Sequence, residues 1–307
     1  MVTEEYASAG AGSIRCRIWE PKGEAVGVVQ LVHGIAEHTA RYADFAGFLA
    51  EHGYAVVSED HMGHGESISD ALGKGCIRGG WDAMVTDVHT LTERAKTRFP
   101  GLPFFLLGHS MGSFLARTYL YTYPGEALKG AILSGTAWQP GPVLAAGKLI
   151  TAGEVRSKGA DTPSEKLQKL MFGAYGKLFP GETSPDAWIC SDPEVLERYG
   201  ADPLCGFVPG AGLAAAMLEG LARNQKKENL SGMPKETPVL FLAGAKDPVG
   251  NCGKGVRQSY DAFRAAGMKD VSLKLYEGDR HEILNEKDKA QVWADVLAWL
   301  EEKRAAS

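Results

Sequence analysis

The sequence predicts an α/β fold: a mostly parallel central sheet flanked by helices, interrupted by a helical insertion. Three observations carry this. Apolar runs of strand length alternate with amphipathic stretches of helix length over residues 1–135, the alternation lapses over 136–235, and it resumes over 236–307.

Taken in order, Ser13–Trp19 and Val26–Val32 read as strands, the second so continuously apolar that both its faces must be covered. Tyr42, Phe45, Phe48 and Leu49 recur at helical spacing and stop at His52-Gly53, where a glycine closes the helix before the strand Tyr54–Val57. A helix over Met84–Phe99 ends at Pro100-Gly101, and the strand Pro103–Leu107 follows. A second helix, Gly112–Tyr123, ends at Pro124-Gly125 and leads into the strand Gly130–Ser134.

From Thr136 to Lys235 the apolar residues keep helical spacing (Leu144, Leu149; Leu167, Leu170, Met171; Leu213, Met217, Leu221) with Gly/Pro punctuation and no β run, so this stretch is expected to form a helical cap. The rhythm returns with strand Pro238–Ala243, helix Gly255–Ala266, strand Val271–Tyr276 and a last helix around Ala290–Lys303. The expected division is therefore a core of 1–135 and 236–307 with a cap of 136–235. The few residues after Arg304 are expected to fray.

The 307 residues, 44% of them apolar, are enough for one large core. A formal charge of −5 with no long basic run argues against nucleic acid as a partner, and Lys226-Lys227 reads as a solvated helix end. The five cysteines (Cys16, Cys76, Cys190, Cys205, Cys252) are odd in number and lack Cys-x-x-Cys spacing, which favours reduced thiols over a disulfide framework or a zinc site. Met1–Tyr6 is acidic and polar rather than leader-like, and no apolar run is long enough for a transmembrane span. A cytoplasmic protein is expected.

The chemistry centres on Gly108-His109-Ser110-Met111-Gly112, a Gly-x-Ser-x-Gly pattern. In a chain with 38 glycines the pattern informs only through its context. That context is present, because the motif follows a strand and opens a helix, the corner that projects a serine from a tight, strained turn. Side chains at the two glycines would crowd that turn.

A serine hydroxyl needs a base, and the base needs a carboxylate to fix its tautomer. In a fold with this elbow the order is Ser, then Asp or Glu, then His, each after a strand. His281 is the one histidine C-terminal to the motif among eight, and it follows the strand Val271–Tyr276. Asp247, just after Pro238–Ala243, is the favoured carboxylate; Asp270 precedes its strand, and Asp279 lies too close to His281 along the chain. Backbone N–H groups of Met111 and of Ile35, in the loop His33-Gly34-Ile35, are the candidate oxyanion donors. Asp60-His61-Met62-Gly63-His64-Gly65-Glu66-Ser67 contains metal-ligand types, but it is one glycine-rich loop and reads as a structural turn beside the site.

The segments His33-Gly34-Ile35-Ala36-Glu37-His38, Asp60 to Ser67, Gly108 to Gly112, Asp247-Pro248 and Tyr276 to Glu286 resemble the monoacylglycerol lipase and lysophospholipase branch of the α/β-hydrolases. The resemblance covers nearly the whole core and implies the α/β-hydrolase fold. It also implies Ser110, Asp247 and His281 as triad, Ile35 and Met111 as oxyanion donors, and hydrolysis of acyl esters or lipids without a metal or organic cofactor. In the cap, Trp188-Ile189-Cys190-Ser191-Asp192 and Asp202-Pro203-Leu204-Cys205-Gly206-Phe207 resemble bacterial members and depart from the animal lipases.

Trp138, Leu144, Phe172, Tyr175 and Phe207, with Leu149 and Phe179, are the candidates to line an acyl pocket. A transient membrane contact through the cap is compatible with this, although no strong amphipathic anchor is evident. Two rival readings remain. A proline iminopeptidase-like aminoacyl hydrolase would use cap acids such as Glu154, Glu165, Glu194 or Glu219 to hold a free amino terminus, and a non-catalytic binding protein would share the fold without turnover.

Overall fold

The computed structural model describes residues 1–69 and 72–306. Among them β1 (Val2–Ala7), β2 (Ser13–Trp19), β3 (Gly27–Val32), β4 (Tyr54–Glu59), β5 (Phe104–His109), β6 (Gly130–Ser134), β7 (Val239–Gly244) and β8 (Val271–Tyr276) form one sheet in the order β1-β2-β4-β3-β5-β6-β7-β8. The helices are α1 (Ala43–Glu51), α2 (Gly80–Arg98), α3 (Met111–Thr122), α4 (Gly141–Lys158), α5 (Glu165–Phe172), α6 (Pro193–Ala201), α7 (Ala211–Arg223), α8 (Lys227–Ser231), α9 (Lys254–Ala265) and α10 (Lys289–Ala305).

β1 pairs antiparallel with β2, and β2 with β4; every later pairing is parallel. The parallel centre explains the apolar runs. Every residue of β3, β4, β5, β6 and β7 is buried, because helices cover both faces. Alternate side chains divide between two cores: Val28 and Val32 face α2, α3 and α9, while Val29 and Leu31 face α1 and α10. The sequence pattern gave no strand at β1, where Tyr6 is the only buried residue of an otherwise acidic edge. The C-terminal helix reaches Ala305, so ordered structure extends past Arg304.

Between β6 and β7 the described residues contain helices α4 to α8 and no strand. α7 packs on α2, α3 and α4, and its Leu213, Ala216 and Leu221 join the main core. Asn224 fixes its end: Nδ2 donates to Phe114 O at 2.8 Å and Oδ1 accepts from the Thr118 hydroxyl at 2.9 Å. Strand order reverses between β3 and β5, so the loops after these neighbours and after β7 and β8 gather at the carboxyl edge, where such folds open a crevice.

Candidate active site

Ser110 sits at the corner between β5 and α3 with φ 54° and ψ −121°, a backbone that costs about 1–3 kcal/mol and persists only when its surroundings enforce it. Those surroundings are identifiable. The Ser110 N–H donates to Ser134 O at 2.9 Å, and the Ser113 hydroxyl donates to Ser110 O at 2.6 Å. A Cβ on Gly112 would lie 2.0 Å from Val32 O, so only glycine lets α3 begin this close to β3.

His281, buried in the loop after β8, donates Nδ1–H to Asp247 Oδ2 at 2.9 Å. Asp247 is fully buried after β7, and its second oxygen accepts the Val249 N–H at 2.8 Å. Burial opposes a charged His281, but the Asp247 carboxylate and its hydrogen bond, helped by Glu282 and Glu37, overcome that and raise its pKa above the usual value. With Nδ1 committed to Asp247, Nε2 is the nitrogen free to take a proton. The other carboxylates weighed from sequence lie elsewhere: Asp270 pairs with Lys303 at 2.7 Å, and Asp279 is pushed up to about 7 by burial and by Asp288 and Glu286. No hydrogen bond joins the Ser110 hydroxyl to His281 among the described residues; such contacts are often long before substrate binds.

The Gly34 N–H donates to Glu37 Oε1 at 2.6 Å, which leaves the Ile35 N–H as the next donor along the loop after β3. A Cβ on Gly34 would lie 3.0 Å from Ser110 Cβ, so this loop abuts the serine. Neither the Ile35 nor the Met111 N–H has a protein acceptor among the described residues.

A buried ion cluster braces this arrangement. Arg41 donates to Glu37 Oε2 at 2.8 Å and bidentately to Glu282 at 2.5 and 2.6 Å, tying the loop after β3 to the residue beside His281. Glu37 also accepts from the Tyr42 hydroxyl at 2.8 Å. Burial would raise the Glu282 carboxyl, but Arg41 holds it below its usual value, whereas burial and the neighbouring Glu282 raise Glu37 despite Arg41. Sequence reasoning missed Arg41 and Glu282, which lie 241 positions apart; the i, i+4 pairing of Glu37 with Arg41 was the only local signal.

Asp60 to Ser67 packs under the same loop. His33 Nε2 accepts the His61 N–H at 3.0 Å, so its Nδ1–H donates to Gly34 O at 2.7 Å. Burial, with His61 and His64 close by, keeps His33 neutral, and burial lowers His64 to about 3. Asp60 accepts from the N–H groups of Thr39 and Glu66.

The pocket candidates fall in five places. Phe172 and Tyr175 cluster with Trp188, whose ring centroid is 5.3 Å from that of His281. Burial and then the nearby Asp247 push the Tyr175 hydroxyl up to about 12. Phe207 instead packs on His64 at 5.2 Å, while Leu144 and Trp138 pack with the main core. Leu149 is 78% exposed, and Phe179 lies under the Arg280 guanidinium at 4.3 Å. Trp188 was not among the pocket candidates read from the sequence. It is held by backbone bonds, since the N–H groups of His281 and Glu282 donate to Trp188 O and Ile189 O at 3.3 and 2.8 Å.

A family model described as serine aminopeptidase, S33 (Hydrolase_4) matches residues 23–288. A monoacylglycerol lipase of Mycolicibacterium smegmatis is 34% identical over 96% of both chains, and a monoglyceride lipase of Homo sapiens is 27% identical over 95% of this chain and 88% of its own. A thermostable carboxyl esterase from Bacillus coagulans, solved with glycerol, superposes with a TM-score of 0.92 at 28% identity, covering 99% of this chain and 100% of its own. These likenesses, on this fold, mark a serine carboxylic-ester hydrolase of the α/β-hydrolase fold, and the chain belongs to the serine aminopeptidase S33 family.

Proposed function

We propose that the protein cleaves monoacylglycerols or similar neutral acyl esters through an acyl-enzyme on Ser110. The observation that carries this is the 2.9 Å His281–Asp247 hydrogen bond at the same sheet edge as a strained serine on a strand-to-helix corner. In this reading His281 Nε2 takes the Ser110 proton as the oxygen attacks the acyl carbonyl, and the Ile35 and Met111 N–H groups hold the oxyanion. The protonated His281 then gives its proton to the leaving alcohol. Water, activated by the same nitrogen, releases the acid.

Residues 136–235 form the cap, and Phe172, Tyr175 and Trp188 line the acyl side of the site. The outer face of α4 supports a transient lipid contact. Pro142, Val143, Ala146, Leu149 and Ala152 all point to solvent, and Leu170 and Leu178 are also exposed. No helix among the described residues is long and apolar enough to cross a membrane, and the five unpaired cysteines fit work in the cytoplasm.

Of the cap acids that an aminopeptidase would need, Glu154 is bound by Ser164 and Lys158 and Glu219 pairs with Lys148, while Glu165 and Glu194 face solvent. The test is a rate series over p-nitrophenyl esters and monoacylglycerols of increasing acyl length, with Ser110→Ala as control and an aminoacyl amide in parallel. A maximum at medium or long chains that the variant abolishes supports the reading. Faster cleavage of the amide, or activity surviving in Ser110→Ala, overturns it.

A further inference from the structure

Beside the loop after β3, three side chains that the ester chemistry does not use converge. His38, Asp202 and Cys205 place an imidazole nitrogen, a carboxylate oxygen and a thiol sulfur all within 4.8 Å of one another. His38 and Cys205 are buried. The Asp202 side chain is 30% exposed and borders a cavity of about 250 Å³ that His38, Arg41, Tyr199 and Asn285 also line.

We propose that these three side chains form a Zn2+ site, with a water from the cavity as fourth ligand. The donor set is one that zinc accepts: thiolate sulfur, imidazole nitrogen and carboxylate oxygen at about 2.0–2.3 Å. Tetrahedral ligands at those distances stand roughly 3.3–3.8 Å apart. His38 Nε2 and Asp202 Oδ2, now 2.8 Å apart, would separate slightly, and the sulfur would close by about 1 Å or less.

The charge also closes. One thiolate and one carboxylate neutralise Zn2+, so a buried neutral centre replaces a buried thiol beside an ion-pairing carboxylate. Beyond the ligand carboxylate of Asp202, the Glu37 and Glu282 carboxylates near Cys205 outnumber the Arg41 guanidinium, a field that favours a cation. Without metal, His38 Nε2–H donates to Asp202 Oδ2. On binding, the Cys205 thiol proton leaves to solvent, and the single proton of the neutral His38 imidazole moves from Nε2, which takes the metal, to Nδ1.

The turn that presents the ligands is already ordered. Asp202 Oδ1 accepts the Leu204 N–H at 2.8 Å, Asp202 O accepts the Cys205 N–H at 3.0 Å, and the Gly206 N–H donates to Ala36 O at 2.9 Å. Zinc would therefore clip this turn to the loop that carries Ile35. The site stands apart from the hydrolase reading, and its test needs no substrate.

The experiment titrates metal-free full-length protein with ZnSO4 by calorimetry and follows the melting temperature, with Co2+ as a spectroscopic probe. The expected result is one tight equivalent of Zn2+ and a sulfur-to-Co2+ charge-transfer band. The melting temperature should rise by about 5 °C at a hundredfold excess over Kd. Cys205→Ser should abolish the band, and both Cys205→Ser and His38→Gln, which remove direct ligands, should weaken binding by more than the roughly 10- to 100-fold that loss of an outer-shell partner costs. His89→Gln, in the separate cluster with Glu93 and Glu126, should leave this binding unchanged. No saturable binding in the wild type, or unchanged wild-type affinity in the two site variants, overturns the proposal. Should Cys205→Ser fail to fold, His38→Gln alone decides.

Discussion

Replacing Arg41 by Met removes the guanidinium that joins the loop after β3 to the histidine loop while keeping most of its apolar length. Two carboxylates, Glu37 and Glu282, with side chains 4% and 7% exposed, would lose their cation. Three charge-assisted hydrogen bonds at about 1.5–3 kcal/mol each set an upper bound of roughly 5–9 kcal/mol. Relaxation that admits water to the carboxylates reduces this to about 3–5 kcal/mol, the usual cost of breaking a buried ion pair from one side.

The loss should depend on pH. In the wild type Glu282 is held below its usual value, so its contribution is present above the unfolded pKa and fades as pH falls. In Arg41→Met burial raises both carboxyls above their unfolded value of about 4.3, so the folded variant binds more protons than its unfolded chain and gains stability as pH falls. Urea denaturation followed by tryptophan fluorescence should show the full deficit at pH 7.5 and a clearly smaller one at pH 5. An equal deficit at both, or one below about 1 kcal/mol at pH 7.5, refutes the view that Arg41 serves chiefly to neutralise two buried carboxylates.

Ser110→Gly should be inactive yet more stable by about 1 kcal/mol, since glycine relieves the φ of 54°; a lower urea midpoint would contradict the strain. His281 must be neutral to act as base, and its pKa is raised, so kcat/KM should fall on the acid side with a midpoint above about 6.5; a midpoint below that value in a pH profile would contradict the role of Asp247. Asp247→Asn should lower kcat by about 10⁴ with little change in KM, because the amide no longer selects the Nδ1–H tautomer; a loss under tenfold in steady-state rates would move the orienting role elsewhere. Trp188→Ala should slow long-chain esters more than acetate, and an equal loss on both would make its role positional only.

Much of the core was legible because the physics that makes it is local. Runs such as Gly130–Ser134 and Val271–Tyr276 are strands by their apolar residues and punctuation alone, and the elbow announced itself by standing between one such run and a helix. β1 was not legible, since an edge strand that buries only Tyr6 has little apolar pattern to show. The same holds for Trp188, which owes its place beside His281 to hydrogen bonds with a loop some ninety positions later along the chain. Arg41 and Glu282 are charged residues in loops, and by sequence alone such residues belong at the surface. Burial gave them meaning only when the sheet brought the two loops together.

The backbone bonds from His281 and Glu282 to Trp188 and Ile189 carry a consequence for access. Arg280 adds to them by donating to Ala187 O and Cys190 O at 2.5 and 3.2 Å, so residues 187–190 are laced to the segment that bears His281. α7 is fastened at the other end through Asn224. α4 and α5 precede both moorings along the chain, and whereas α4 lies closely along α7, α5 rests on α4 and α7 chiefly through Leu167 and Met171, so an opening that leaves the laced residues intact would come at the α5 edge. A substrate entering there would pass the exposed Leu170 while the His281–Asp247 pair stayed in register, a movable doorway over a fixed hearth.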